Sequence, residues 1–151
     1  MAIARGAGTE IIRSAHFETL PGGTTHTIIF GVQHHIYTVL SVTVYCDILN
    51  DAADFFDLTV LGYDAYGGTT AQRNRIITGQ VLAVKETFVW NDKFSFNGHE
   101  PTDFAGPMDS VVKQDAIADQ GSSVAQKLQF YGDDASTYYD VNVTYIDQNN
   151  A

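Results

Sequence analysis

The chain has 151 residues and carries 18 aspartates and glutamates against 8 lysines and arginines, a formal net charge of −10. That length suits one domain with one core, and the charge excludes nucleic acid or an anionic membrane as a direct partner unless the few cations gather on one face. A lone cysteine, Cys46, excludes an intrachain disulfide, and no apolar run reaches signal-peptide or membrane-spanning length, so a soluble protein made in the cytoplasm and held together by packing is expected.

Residues 1–9 are small and glycine-containing. They have too little apolar surface to fold alone and read as an extended arm, followed by one domain over residues 10–151. Glu10 to Leu20 reads as a strand stopped by Pro21-Gly22-Gly23, and Thr24 to Gly31 as a second. Ile36 to Ile48 is the most regular stretch of the chain. Its even positions (Ile36, Thr38, Leu40, Val42, Val44, Cys46, Ile48) form an apolar wall and its odd positions a more polar one, the alternation of a half-buried strand. Its length exceeds that of ordinary strands, which predicts a bend, a bulge or an overhang.

Phe55 to Asp64 alternates again and reads as the hairpin partner of this spine. Ala65 to Ala71 reads as a loop, Asn74–Thr78 and Gln80–Val84 as short strands interrupted at Gly79, and Glu86 to Phe96 as a long strand whose pattern breaks near Asn91-Asp92. From Gly98 to Gly121 the chain is irregular, with helical spacing only between Met108 and Ala118; long irregular connections in compact domains are often functional. Ser122 to Tyr131 and Ser136 to Asp147 read as a closing pair around Gly132-Asp133-Asp134. About eight or nine strands without crossover helices predict an all-β fold, an antiparallel β-sandwich, jelly roll or barrel rather than a parallel sheet, with a sandwich or jelly-roll-like single domain foremost. The core is expected to contain Leu40, Val42, Val44, Leu58, Val60, Phe88, Trp90, Leu128, Val141 and Val143.

The chemistry-bearing residues form no specific motif. His34 and His35 are adjacent, so on extended chain they point to opposite faces, and no His-x-His or His-x3-His spacing accompanies them. Structural or surface histidines are the simpler reading. His99-Glu100 with Asp103 and Asp109 has acid–base groups but no serine or cysteine in a nucleophile motif beside it. Asp133-Asp134 and the Asp51/Asp54 pair lack the calcium-loop pattern, and Gly67 to Arg75 lacks that of a phosphate loop. Tyr37, Tyr45, Tyr63, Tyr131 and Tyr138 fall on the less apolar faces, where they would serve sugar stacking, an interface or cross-strand pairing. No catalytic residue, cofactor or metal is expected.

Four stretches carry a resemblance: Met1 to Ser14, Gly31 to Val39, Thr87 to Phe96, and Ile146 to Ala151. With these the chain resembles small structural proteins of tailed-bacteriophage virions. The resemblance implies a non-enzymatic virion component, foremost a capsid decoration or cement protein on the outer head surface, with the major capsid protein and its own copies (a homotrimer or other homo-oligomer) as partners. The candidate interface residues are Ile3, Arg5, Ile11 and Ile12 at the arm, and His99, Phe104 and Met108 in the long loop. A tail or neck subunit and a carbohydrate-binding sandwich are the alternatives; an enzyme would need the His99 region.

Overall fold

The computed structural model describes residues 9–64, 69–101, 110–112 and 123–149. The described elements are eleven strands: β1 (Glu10–Pro21), β2 (Thr25–Phe30), β3 (His35–Ile48), β4 (Phe55–Asp64), β5 (Thr69–Val81), β6 (Thr87–Trp90), β7 (Phe94–Asn97), β8 (His99–Pro101), β9 (Ser123–Ala125), β10 (Lys127–Gly132) and β11 (Tyr138–Asn149). The first sheet has the order β1-β11-β3-β6, with β7 also on β3; the second has the order β2-β10-β4-β5; β8 and β9 form a separate ribbon. All pairings are antiparallel.

With β6 and β7 counted as one interrupted strand and the ribbon set aside, the first sheet joins the first, last, third and sixth strands. The second joins the second, seventh, fourth and fifth. This is the double Greek key of a jelly roll, and the expected all-β sandwich is present.

The topology changes two pairings expected from sequence. Phe55 to Asp64 is not the hairpin partner of β3: β4 crosses to the second sheet, and β3 pairs instead with β11, β6 and β7. Likewise β10 and β11 lie in opposite sheets and do not form a closing pair. Both turns are arches, and carboxylates build them. Phe55 N–H donates to Asp133 Oδ1 (2.8 Å), Asp133 N–H donates to the Phe55 carbonyl (3.2 Å), and the Thr137 hydroxyl donates to Asp54 Oδ2. Asp51 N–H also donates to Asp54 (2.9 Å). The acids at this end are thus acceptors for turn backbone that the sheets leave unpaired.

Within β3 the expected irregularity takes the form of two register shifts against β11, one at Asp47 near the strand end and a bulge at Leu40. Ser41 pairs with Thr144 and Val39 with Tyr145, so Leu40 has no partner and the inward phase switches. Val42, Val44 and Cys46 point inward after it, Tyr37 and Val39 before it. Leu40 is only half-buried rather than core, and Tyr37, expected on the polar face, is 3% exposed. Of the other expected core residues, Val42, Val44, Leu58, Val60, Leu128, Val141 and Val143 are buried, with Phe88 and Trp90 packed against them. Phe56 and Phe130 from the second sheet meet Tyr139 from the first at centroid distances of 5.7 and 5.4 Å. These rings join the two layers.

Gly79 does not interrupt β5. It takes a positive φ of 60° inside the strand, and its N–H donates to Asp57 Oδ1 (2.6 Å) where the β4–β5 register shifts. The strand ends at Val81, short of the expected Val84. Between β6 and β7 the ladder breaks at 91–93, and Trp90 Nε1 donates to the Asp92 carbonyl across the break (2.8 Å). β8 occupies part of the stretch expected to be irregular. Of the proposed helical turn only residues 110–112 are described, with Val111 and Val112 helical and exposed. Residues 1–8 of the arm lie outside the described residues, as do Ala65 to Gly68.

Candidate interaction surfaces

Cross-strand register places the candidate interface at one end of the sandwich. Glu10, Gln148, Ile36 and Asn97 form a row across the first sheet, and Phe30, Lys127, Leu61 and Arg73 form one across the second. The start of β1, the end of β11, the 31–34 turn and the β8–β9 ribbon therefore share that end. Ile11 and Ile12 lie there, 43% and 70% exposed, on a strand that among the described residues pairs with β11 alone. His99 sits on β8 opposite Ala125, half-buried. Ile3, Arg5, Phe104 and Met108 lie outside the described residues, as do Asp103 and Asp109 of the acid–base group around His99.

The arm root is closed by a charged cluster. Asp147 is 7% exposed; its carboxylate accepts from His35 Nδ1 at 2.6 Å and lies 3.4 Å from Arg13 Nε. Two partners offset the cost of taking that carboxylate out of water. The His35 ring stacks on Tyr37 at 5.9 Å, and the Tyr37 hydroxyl accepts from Val32 N–H (3.1 Å). Asn149 N–H donates to the Thr9 carbonyl (2.9 Å), tying the β1 entry to the end of β11. A cavity of about 230 Å³ bounded by Ile11, Arg13, His35 and Asp147 opens beside it. The cluster was not anticipated, although its signal is in the sequence: Asp147 continues the inward phase of Tyr139, Val141, Val143 and Tyr145, and an acid there needs a cation.

The ribbon is rooted in backbone. Gly31 N–H donates to the Gln126 carbonyl (2.7 Å), Gln126 N–H to the Gly98 carbonyl (2.8 Å), and Gly98 N–H to the His35 carbonyl (2.7 Å). Gln126, 5% exposed, donates from its side chain to the Asn97 carbonyl (3.0 Å). Next to this root a cleft of about 360 Å³ lies between the sheets, with Val60, Ile76 and Phe94 on its walls and Asn74, Asn97 and Gln126 among its polar groups.

The other described histidines have structural partners. His26 Nε2 donates to the Pro21 carbonyl (2.8 Å), and His16 bridges Glu18 (3.0 Å) and Asn142. The hydrogen bond to Glu18, then that to Asn142, raises the His16 pKa above its usual value. His34 is exposed at a positive φ of 66° in the turn before β3. Among the described residues no group of three or more histidines, cysteines or acids is placed to hold a metal ion, and no helix is long and apolar enough to cross a membrane. Burial raises the Cys46 thiol pKa, as it would for an unreactive core cysteine.

No protein-family model matches the chain, and neither does any curated protein. Among solved structures it is similar to a chain of infectious bursal disease virus, Gt strain, at 10% identity and a TM-score of 0.46, over 98% of this chain and 35% of that one. It is also similar to a chain of the infectious bursal disease virus VP2 subviral particle (12% identity, TM-score 0.41, 95% and 38% covered). A third similarity is to a chain of Bacillus endospore appendages, which are disulfide-linked pili (16% identity, TM-score 0.40, 100% and 97% covered). The chain spans little more than a third of the length of the two bursal-disease-virus chains. At TM-scores below 0.5 these likenesses assign no function to it.

Proposed function

We propose that the protein is a non-enzymatic structural subunit of a virion, and more finely a decoration or cement protein on the outer head surface of a tailed bacteriophage. Its partners would be the major capsid protein and further copies of itself. The sequence resemblance motivates this reading. The structural observation that supports it best is that the arm root and the β8–β9 ribbon leave the same end of the sandwich, beside a strand that is an edge among the described residues and carries exposed Ile11 and Ile12. An unpaired strand edge can take a partner's strand by backbone hydrogen bonding. Attachment repeated around a symmetry axis gains strength through effective concentration.

Deleting residues 2–8 tests this. Thr9 is retained because its carbonyl accepts from Asn149. The truncated protein is expected to stay folded with a nearly unchanged melting temperature, and to lose incorporation into particles. Incorporation equal to that of the full chain would remove the arm as the attachment element. A cryo-EM map of the particle separates the head reading from a tail or neck subunit. The carbohydrate-binding alternative loses Tyr37 to the core, and the ring of Tyr45 has the Lys85 ammonium 5.8 Å from its centroid.

A further inference from the structure

The cations that look scattered in sequence gather when the second sheet forms. Asn74 pairs with Val60, which points into the core, so its neighbours Arg73 and Arg75 leave the outer surface of that sheet. Leu128 and Phe130 are buried, so Lys127 leaves the same surface, in the row that also holds Leu61 and Arg73. Lys127 Nζ lies 4.9 Å from the ring centroid of Phe30, itself 60% exposed. Among described residues the acid on this face is Asp57, and one of its oxygens is engaged by Gly79 N–H. Neither arginine nor Lys127 forms an ion pair among the described residues. Arg73, Arg75, Asp57, Tyr131 and Thr25 line a hollow of about 550 Å³.

The outer surface of the first sheet has the opposite character. Inward residues of β1 and β11 alternate with Glu10, Glu18 and Asp140 outside. Asp47 on β3 is neutralised by Lys85 at 2.7 Å, and Glu18 faces His16. This surface also exposes Ile12 (70%) and Val89 (52%). One molecule of net charge −10 thus carries a basic face with an exposed aromatic ring and, across the sandwich, an acidic face with exposed aliphatic side chains.

We infer that the outer face of the second sheet is a docking surface for the acidic outer face of the first sheet of another copy, so that copies associate face to back. The two surfaces complement one another in charge, and each brings apolar residues to offset the cost of desolvating the charges. Arginine forks suit carboxylates in bidentate pairs. Such a contact is heterologous: it closes into a ring if the rotation between copies allows and otherwise propagates. The total charge makes copies repel at low ionic strength. At about 0.15 M salt screening falls off within roughly 8 Å, and the local complementarity decides.

The inference does not depend on the virion reading, and its test needs only the purified full chain. Association of the wild type is followed by analytical ultracentrifugation against concentration and salt. Two charge-reversed variants accompany it, Arg73→Glu with Arg75→Glu, and Glu10→Lys with Glu18→Lys, each checked for an unchanged melting temperature. Each variant alone should associate at least about tenfold more weakly than wild type, and an equimolar mixture should recover association because the reversed faces match each other. A wild type that stays monomeric to millimolar concentration overturns the inference and leaves an acidic partner of another kind. Variants that associate as wild type, or a mixture that does not recover, overturn it as well.

Discussion

At the scale of single residues, burial and partner count decide what each side chain contributes. Leu58 is fully buried between the sheets, whereas Leu40 sits unpaired at the bulge and only half-covered. Leu58→Ala should therefore cost about 2–5 kcal/mol and Leu40→Ala about 1 kcal/mol or less, read from urea midpoints. Equal losses would place Leu40 in the core after all. Tyr139 presents the opposite case. It is 0% exposed, and its hydroxyl has no hydrogen-bond partner among the described residues; burial pushes its pKa well above the usual tyrosine value. Removing an unsatisfied buried polar group returns its desolvation cost. Tyr139→Phe is expected to leave stability unchanged or raise it by up to about 3 kcal/mol, provided the ring keeps its contacts with Phe56 and Phe130. A clear loss in the same denaturation series would show that the hydroxyl has a partner.

At the scale of elements, two glycines separate conformational need from close approach. Gly79 has a positive φ, and an added Cβ would meet nothing within 4 Å, so Gly79→Ala should cost about 1 kcal/mol through backbone strain. At Gly98 an added Cβ would sit 1.9 Å from the Val32 carbonyl oxygen. Backbone cannot swing aside as a flexible side chain can, so Gly98→Ala should lower stability by at least about 2 kcal/mol and loosen the ribbon root. Circular-dichroism melts check the order of the two losses, and the reverse order would contradict this packing. These elements also mark how far the sequence could be read. Alternation locates β1, β3, β4 and β11 to within a residue or two, because side-chain period reports which positions face inward. It does not report which sheet a strand joins, so the arches before β4 and β11 read as hairpin turns. The bulge was foreseeable from the length of β3, but its position at Leu40 depends on register with β11. The Arg13, His35 and Asp147 cluster and the gathering of Arg73, Arg75 and Lys127 both require pairings between strands distant in the chain, which local pattern cannot supply.

At the scale of the whole molecule, the jelly-roll order nests its pairings. β4 and β5 are neighbours in sequence; around them lie the pairs β3 with β6 and β7, then β2 with β10, and outermost β1 with β11. Loop-closure entropy rises with the length of chain enclosed. The inner pair therefore forms at the smallest entropic cost, and β1, which joins the outermost pair, is expected to dock last. Because so many pairings are non-local, folding should take milliseconds to seconds rather than microseconds. The nesting also predicts how mutational losses divide between folding and unfolding rates. Leu58→Ala on β4 perturbs the inner pair and should mainly slow folding, with a φ-value of about 0.5 or more. Phe17→Ala on β1 removes a half-buried ring from the last strand to dock, and should mainly speed unfolding, with a φ-value near zero. Stopped-flow chevrons of the two variants supply both values. A larger φ for Phe17 than for Leu58 would mean that the chain ends meet first and that the fold nucleates from its outermost pair.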